Sequence, residues 1–239
     1  MKKSVLLVVF SALFFTTIAN AQWSRIKGNG KVVTEKRTTA GYDEIVLTGS
    51  FDVVLVSGTE GALTIEGEEN IIPHIIVEVT GNVLKISNEK NVQIDTKKKL
   101  IVTVPFEQIS SVSLSGSGDV SSKNTIVSPT FKAKLSGSGD LTLDVKATDF
   151  ESNLSGSGDV VLTGSSDNFV SKTSGSGDVN AINLTAKNAN LTILGSGDMK
   201  VNCSESLFAR VSGSGDIEYK GDPKTKDTKV SGSGDISKV

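Results

Sequence analysis

The sequence predicts an all-β protein: a right-handed parallel β-helix, or solenoid, of rungs about 19 residues long with a hairpin-containing insert near its N-terminus. Three observations predict it. The phrase Gly-Ser-Gly-Asp recurs, ending at Asp119, Asp140, Asp159, Asp178, Asp198, Asp216 and Asp235, with steps of 21, 19, 19, 20, 18 and 19 residues. Around each Asp the side chains alternate with period two, as on a strand with one buried face. A single copy cannot bury its own apolar face, so neighbouring copies must cover it. The period is too short for propeller blades, and the L-x-x-L-x-L skeleton of leucine-rich repeats is absent.

The N-terminus comes first in order. Lys2 and Lys3 precede an apolar run from Val5 to Ile18, and Ala19-Asn20-Ala21 fits an A-x-A cleavage site. Residues 1–21 therefore read as a signal peptide, and the product as exported to the periplasm, cell surface or medium of a bacterium. The run is short for a membrane span, and no Cys stands at the cleavage site to take a lipid. Removing Lys2 and Lys3 changes the balance from 25 basic against 27 acidic residues to 23 against 27, or −4. A mildly acidic chain offers nucleic acid no electrostatic attraction. Residues 22–239 are expected to form one elongated domain.

Residues 22–41 read as a loose lead-in and 42–105 as irregular rungs with the insert. Leu47 to Val53 (Leu-Thr-Gly-Ser-Phe-Asp-Val) looks like a degenerate first rung with Phe51 in place of the second glycine. Val53–Val56 and Ala62–Ile65 are expected strands. Asn70–Pro73 is a turn or one helical turn, broken by Pro73. Ile75–Val79 and Val83–Ile86 flank Thr80-Gly81-Asn82, a hairpin signal. Asn88–Lys99 is polar and expected to be exposed. Leu100–Val104 is a strand closed by Pro105.

Residues 106–239 are the regular array. Counting from each Asp, position −5 holds Leu114, Leu135, Leu154, Thr173, Ile193, Val211 and Val230. Position +1 holds Val120, Leu141, Val160, Val179, Met199, Ile217 and Ile236. Phe131, Phe150, Phe169 and Leu207 stand at −9 and should form one column. The glycines at −3 and −1 suit a bend or a corner too narrow for a side chain. If the strand runs on, the serines and the Asp form a flat outer face. If the glycines turn the chain, the Asp accepts backbone N–H bonds at the turn. Lys220, Lys224, Lys226, Lys229 and Lys238 crowd the last rung, a guard against edge-to-edge growth or a solvated loop. Val239 lies four residues past the last Asp, so no translocating barrel is expected to follow.

The rung at Leu47–Val53, the strand–hairpin–strand insert, Ile101 to Pro105 and the Ser-Gly-Ser-Gly-Asp array together resemble the putative autotransporter adhesin family with the head GIN domain. The resemblance spans Tyr42–Val239. It implies an exported β-helical protein of Bacteroidetes-type bacteria without established catalytic residues.

Calcium is the sharpest site hypothesis, with Asp119, Asp140, Asp159, Asp178, Asp198, Asp216 and Asp235 as candidate ligands. Yet the spacing lacks the residue between glycine and aspartate that the Ca²⁺-binding G-G-x-G-x-D repeats have. No cofactor is otherwise expected. His74 is the single histidine, far in sequence from the array's serines, so a serine nucleophile has no base. Arg210 is the sole arginine of the array, which weakens the alternative of a polysaccharide-active β-helix enzyme. Cys203 falls at a buried offset and should be an inert thiol. The preferred reading is a non-catalytic, adhesin-like protein that binds an envelope or extracellular polymer or protein. Its candidate face comprises Ser136, Ser138, Asp140, Ser155, Ser157, Asp159, Ser174, Ser176 and Asp178. Alternatively the array is a scaffold, with binding carried by the insert at Ile71–Lys99.

Overall fold

The structure is a computed structural model that describes residues 24–239. The expected signal peptide lies outside the described residues. The strands are, in order, β1 (Ser24–Lys27), β2 (Val32–Thr38), β3 (Glu44–Gly49), β4 (Asp52–Ser57), β5 (Ala62–Glu68), β6 (Ile75–Thr80), β7 (Val83–Asn88), β8 (Val92–Asp95), β9 (Ile101–Phe106), β10 (Ser111–Gly116) and β11 (Val120–Ser122). They continue as β12 (Ile126–Gly137), β13 (Leu141–Gly156), β14 (Val160–Gly175), β15 (Val179–Gly195), β16 (Met199–Gly213), β17 (Ile217–Lys220), β18 (Thr225–Gly232) and β19 (Ile236–Lys238).

These strands stack as a parallel β-solenoid. One face pairs β7, β3, β10 and the C-terminal parts of β12, β13, β14, β15 and β16, ending at β18. The other pairs β9, β4, β11 and the N-terminal parts of β13 to β16, then β17 and β19. The degenerate rung aligns as its sequence suggests, Gly49 with Gly116 and Val53 with Val120. Phe51 fills the inside of that corner, 3% exposed.

Between the faces the predicted columns form. Leu47, Leu114, Leu135, Leu154, Thr173, Ile193, Val211 and Val230 stand in register. Phe131, Phe150 and Phe169 stack with ring centroids 5.6 and 5.4 Å apart, tilted as aromatic pairs prefer. Leu207 and then Lys226 continue the column after Ala189. The Lys226 ammonium lies 5.7 Å from the Tyr219 ring centroid and 3.3 Å from its hydroxyl. A lysine thus stands in register with the core column in the last rung, on a strand exposed along its length. Inward-pointing charge of this kind discourages another strand from adding there.

The N-terminal stretch differs from the expected loose lead-in. β1 pairs in parallel with β8, and β2 pairs antiparallel with β5. The polar segment Asn88–Lys99, expected to be exposed, contributes β8, three of whose four residues are half-buried. Buried-face alternation does not mark β1, β2 or β8, because none of their residues is buried. The hairpin forms as predicted: β6 and β7 are antiparallel, with Gly81 at φ +64° in the turn. The single turn at Ile72–His74 is 3-10 helix. Because β7 also pairs with β3, the insert closes one end of the solenoid.

Two polar side chains tie this end together. The Arg37 guanidinium donates to the carbonyls of Ile72, at 3.0 Å, and Ile75. Glu68, 1% exposed, accepts the backbone N–H groups of Gly30, at 2.5 Å, Lys97, at 2.8 Å, and Lys98, at 3.3 Å. Burial works to raise its carboxyl, but these three donors and the Lys97 charge outweigh burial and hold it below the ordinary carboxylate range. A depressed folded pKa stabilises the fold above the unfolded value, about 4.3, and that stability is lost as pH falls through the folded value. Glu68→Gln is therefore expected to unfold more easily at pH 7 and to show a flatter acid limb below about pH 4 than the wild type, read by denaturant midpoints across pH. An identical acid limb in both proteins would remove Glu68 as a titrating clamp. Thr173 poses the opposite case, since its buried hydroxyl and that of Ser171 have no hydrogen-bond partner. Thr173→Val keeps the shape and removes the orphan, so stability should rise by about 1 kcal/mol in chemical denaturation; a loss of that size would show the hydroxyl to be satisfied.

Candidate functional site

The repeated phrase forms a corner. In a typical rung the strand ends at Gly156, the chain bends through Ser157, Gly158 and Asp159, and a new strand starts at Val160. The glycines turn the chain, so the serines and Asp form a ridge rather than the flat face an unbroken strand would make. The two glycines serve different needs. Gly156 has φ +131°, a conformation that side chains disfavour. Gly158 is buried, and a Cβ there would lie 1.9 Å from the carbonyl oxygen of Gly139 in the preceding rung.

At the bend the regular backbone ladder is interrupted, and the Asp side chain completes it. The N–H of each Asp donates to Oδ1 of the Asp one rung earlier. The six links, from Asp119–Asp140 to Asp216–Asp235, measure 3.1, 2.9, 3.0, 2.7, 2.9 and 2.7 Å. Asp52 begins the series by accepting from Asp119 at 3.4 Å. Each Asp carbonyl also accepts the N–H that follows the previous Asp, as in Leu141 to Asp159 at 2.9 Å. Both serines of each pair remain on the outside. Ser138, Ser155, Ser157, Ser174 and Ser176 are exposed and Ser136 is half-buried. Their side chains take no part in the hydrogen bonds that hold the corner. The Asp column instead borders a shallow groove of 250 Å³ lined by Asp159, Asp178, Asp198, Val161, Asn180 and Lys200.

A second polar ladder stands at the opposite corner. Asn168 Nδ2 donates to Asp149 Oδ1 at 2.8 Å, Asn188 Nδ2 to Asn168 Oδ1 at 3.0 Å, and Ser206 Oγ to Asn188 Oδ1 at 2.7 Å. Sequence reasoning missed it. The signal was present at position −10 from each Asp, but two asparagines in one column are easily lost among the chain's many polar residues.

The remaining candidates stand apart. His74 Nδ1 meets Glu89 Oε2 at 2.6 Å in the closing insert. Cys203 is buried and free, and burial pushes its thiol pKa up, which keeps it protonated. Among the described residues no three or more His, Cys, Asp or Glu side chains gather as a metal-binding group, and no helix is long and apolar enough to cross a membrane.

Comparison with known proteins places this architecture. The family model described as "Putative auto-transporter adhesin, head GIN domain" matches residues 41–223. The chain belongs to this family. Among solved structures, a putative adhesin from Bacteroides fragilis has a TM-score of 0.82 at 26% identity, covering 90% of this chain and 100% of its own. A putative lipid binding protein from Parabacteroides distasonis has a TM-score of 0.74 at 26% identity, with the same coverages. A putative adhesin from that organism reaches 0.75 at 22% identity, again covering 90% and 100%, a likeness of fold. No curated protein matches in sequence. The head GIN chain therefore shares its overall fold with a putative adhesin over 90% of its length.

The corner makes a stability prediction. Asp159→Ala removes the acceptor for the Asp178 N–H, and denaturant unfolding should show a loss of about 1 kcal/mol. Asp159→Asn keeps an acceptor oxygen and should lose less. Equal stability of all three proteins would show that the carboxylate ladder contributes nothing.

Proposed function

We propose that this chain is an exported, non-catalytic, adhesin-like protein that binds an extended polymer of the cell envelope or extracellular space along its solenoid axis. The observation that carries this reading is the outer ridge. Ser136 and Ser138, Ser155 and Ser157, and Ser174 and Ser176 repeat the same outward serine pair on successive rungs, all exposed but the half-buried Ser136. Rungs about 4.8 Å apart give a polymer many equivalent contacts, so weak single contacts sum to useful avidity. Membership of an adhesin family and the A-x-A leader support export.

Catalysis finds less support. His74 is held by Glu89 in the insert, and the Asp residues repeat as parts of the fold rather than breaking the repeat as a reactive pair would. A metal also finds less support at the corner, since one oxygen of each Asp from Asp119 to Asp216 is committed to the next rung. A lipid is disfavoured as well. Phe131, Phe150 and Phe169 fill the space between the faces, so an acyl chain would have to lie outside, where Leu194 and Phe208 are exposed.

Binding of the mature protein to immobilised peptidoglycan, neutral and acidic polysaccharides and matrix proteins tests the reading. The triple variant Ser138→Gln, Ser157→Gln, Ser176→Gln leaves glycines and aspartates in place. It should keep its unfolding midpoint while binding the retained polymer about tenfold more weakly. No retention on any surface, or retention indifferent to the three substitutions, would refute the ridge as a binding surface.

A further inference from the structure

Beside the serine ridge, two residues back along each strand, runs a column that carries positive charge on alternate rungs from β12 to β16 and again on β18. Lys134 on β12 is in register with Asn153 on β13, then Lys172 on β14, Thr192 on β15 and Arg210 on β16. Lys229 follows on β18. Lys134, Lys172 and Lys229 are exposed and Arg210 is half-buried. At a rung spacing of about 4.8 Å, Lys134, Lys172 and Arg210 stand about 9.6 Å apart along the axis. The neighbouring column is hydroxyl-bearing: Ser136, Ser155, Ser174 and Ser212, interrupted by Leu194.

These cations differ from others on the molecule. Lys187 pairs with Asp167 at 2.8 Å and Lys200 with Glu218 at 2.7 Å. Neither Lys134 nor Lys172 enters an ion pair among the described residues. Arg210 is held in place, 3.8 Å over the Phe208 ring and 2.7 Å from Asp227. Two acids stand in the adjacent column: Glu151, which accepts from Asn153, and Asp227, which pairs with Arg210. The Asp column lies around the bend and borders the groove on the other side. Two unpaired lysines, Lys134 and Lys172, two rungs apart on an acidic chain are complementary to anions, and their spacing states how the anions should be spaced.

We propose that this face binds an extended acidic polysaccharide carrying one anionic group in every second sugar, lying along the solenoid axis. The anions meet Lys134 and Lys172, and the sugar hydroxyls meet Ser136, Ser155 and Ser174. The rise of two units of an extended β-linked chain is similar to two rungs, so charge and hydroxyl contacts stay in step. This deepens the polymer-binding reading above and rests on it.

Hyaluronan, with one carboxylate per two-sugar unit, is the probe. Polygalacturonate, charged on every sugar, neutral dextran, and phosphatidylglycerol vesicles are the comparisons. Biolayer interferometry at low salt should show hyaluronan bound more tightly than polygalacturonate and dextran not bound by this face, with affinity falling as salt screens the contacts. Lys134→Gln with Lys172→Gln should weaken hyaluronan about tenfold at an unchanged unfolding midpoint. The exchange Asn153→Lys with Lys172→Asn keeps net charge and moves one charge by a rung; it should weaken hyaluronan as well. Tighter binding of polygalacturonate, or indifference to the exchange, overturns the register. Retention on the vesicles alone assigns the face to anionic lipid and overturns the proposal. If no acidic polymer binds but a neutral glycan does, lost in the serine triple variant, this inference falls and the polymer reading stands. If nothing binds, both fall.

Discussion

At the Ser-Gly-Ser-Gly-Asp corner the backbones of successive rungs approach so closely that a methyl group at Gly158 would sit within bonding range of the Gly139 oxygen. A turn that tight cannot carry the ordinary strand ladder through, and a donor is left over in each rung. The Asp carboxylate of the previous rung accepts it. The glycines create the shortage and the aspartate relieves it, so the five residues act as one unit and recur together. Everything else in the solenoid inherits its register from this hinge. Once Gly116, Gly137 and Gly156 are stacked, the Phe, Leu and Val columns on either side can stand in line.

The closing insert solves a different problem with similar chemistry. A stack of parallel rungs leaves an exposed edge of backbone groups at its end. Here β5 runs antiparallel to β2 and β9, and β6 antiparallel to β7, while Glu68 and Arg37 collect the loop donors and carbonyls that those turns leave free. At the opposite end Lys226 stands in the aromatic column's line, so the hydrophobic interior finishes on a charge.

The array was legible in the sequence because each of its rules is local and repeated. Alternation placed Leu135 inside and Ser136 outside, and the recurring glycines marked the corner. Whether the chain bent there was not legible, since the same five residues serve an unbroken strand or a turn until the neighbouring rung's oxygen is in view. β1 and β8 were hidden because they are distant from each other in sequence and none of their residues is fully buried. The Asn168–Asn188 ladder and the alternating cations are relations between rungs. They become visible in sequence when copies are aligned on outward as well as inward positions, as Lys134, Asn153 and Lys172 show.

The rungs are not all one length, and the differences fall in one place. Register slips occur between Val161 and Thr163, Ala181 and Thr185, and Ala186 and Asn188, while the stretch from the Phe column through the Asp bend pairs without a break. One edge of the molecule therefore behaves as a spine and the other as a margin where residues come and go. Variation in such a repeat can accumulate on the margin without disturbing the spine. The margin is thus where a foreign loop could be grafted at the least cost to the fold, and where diverging copies would first acquire individual surfaces.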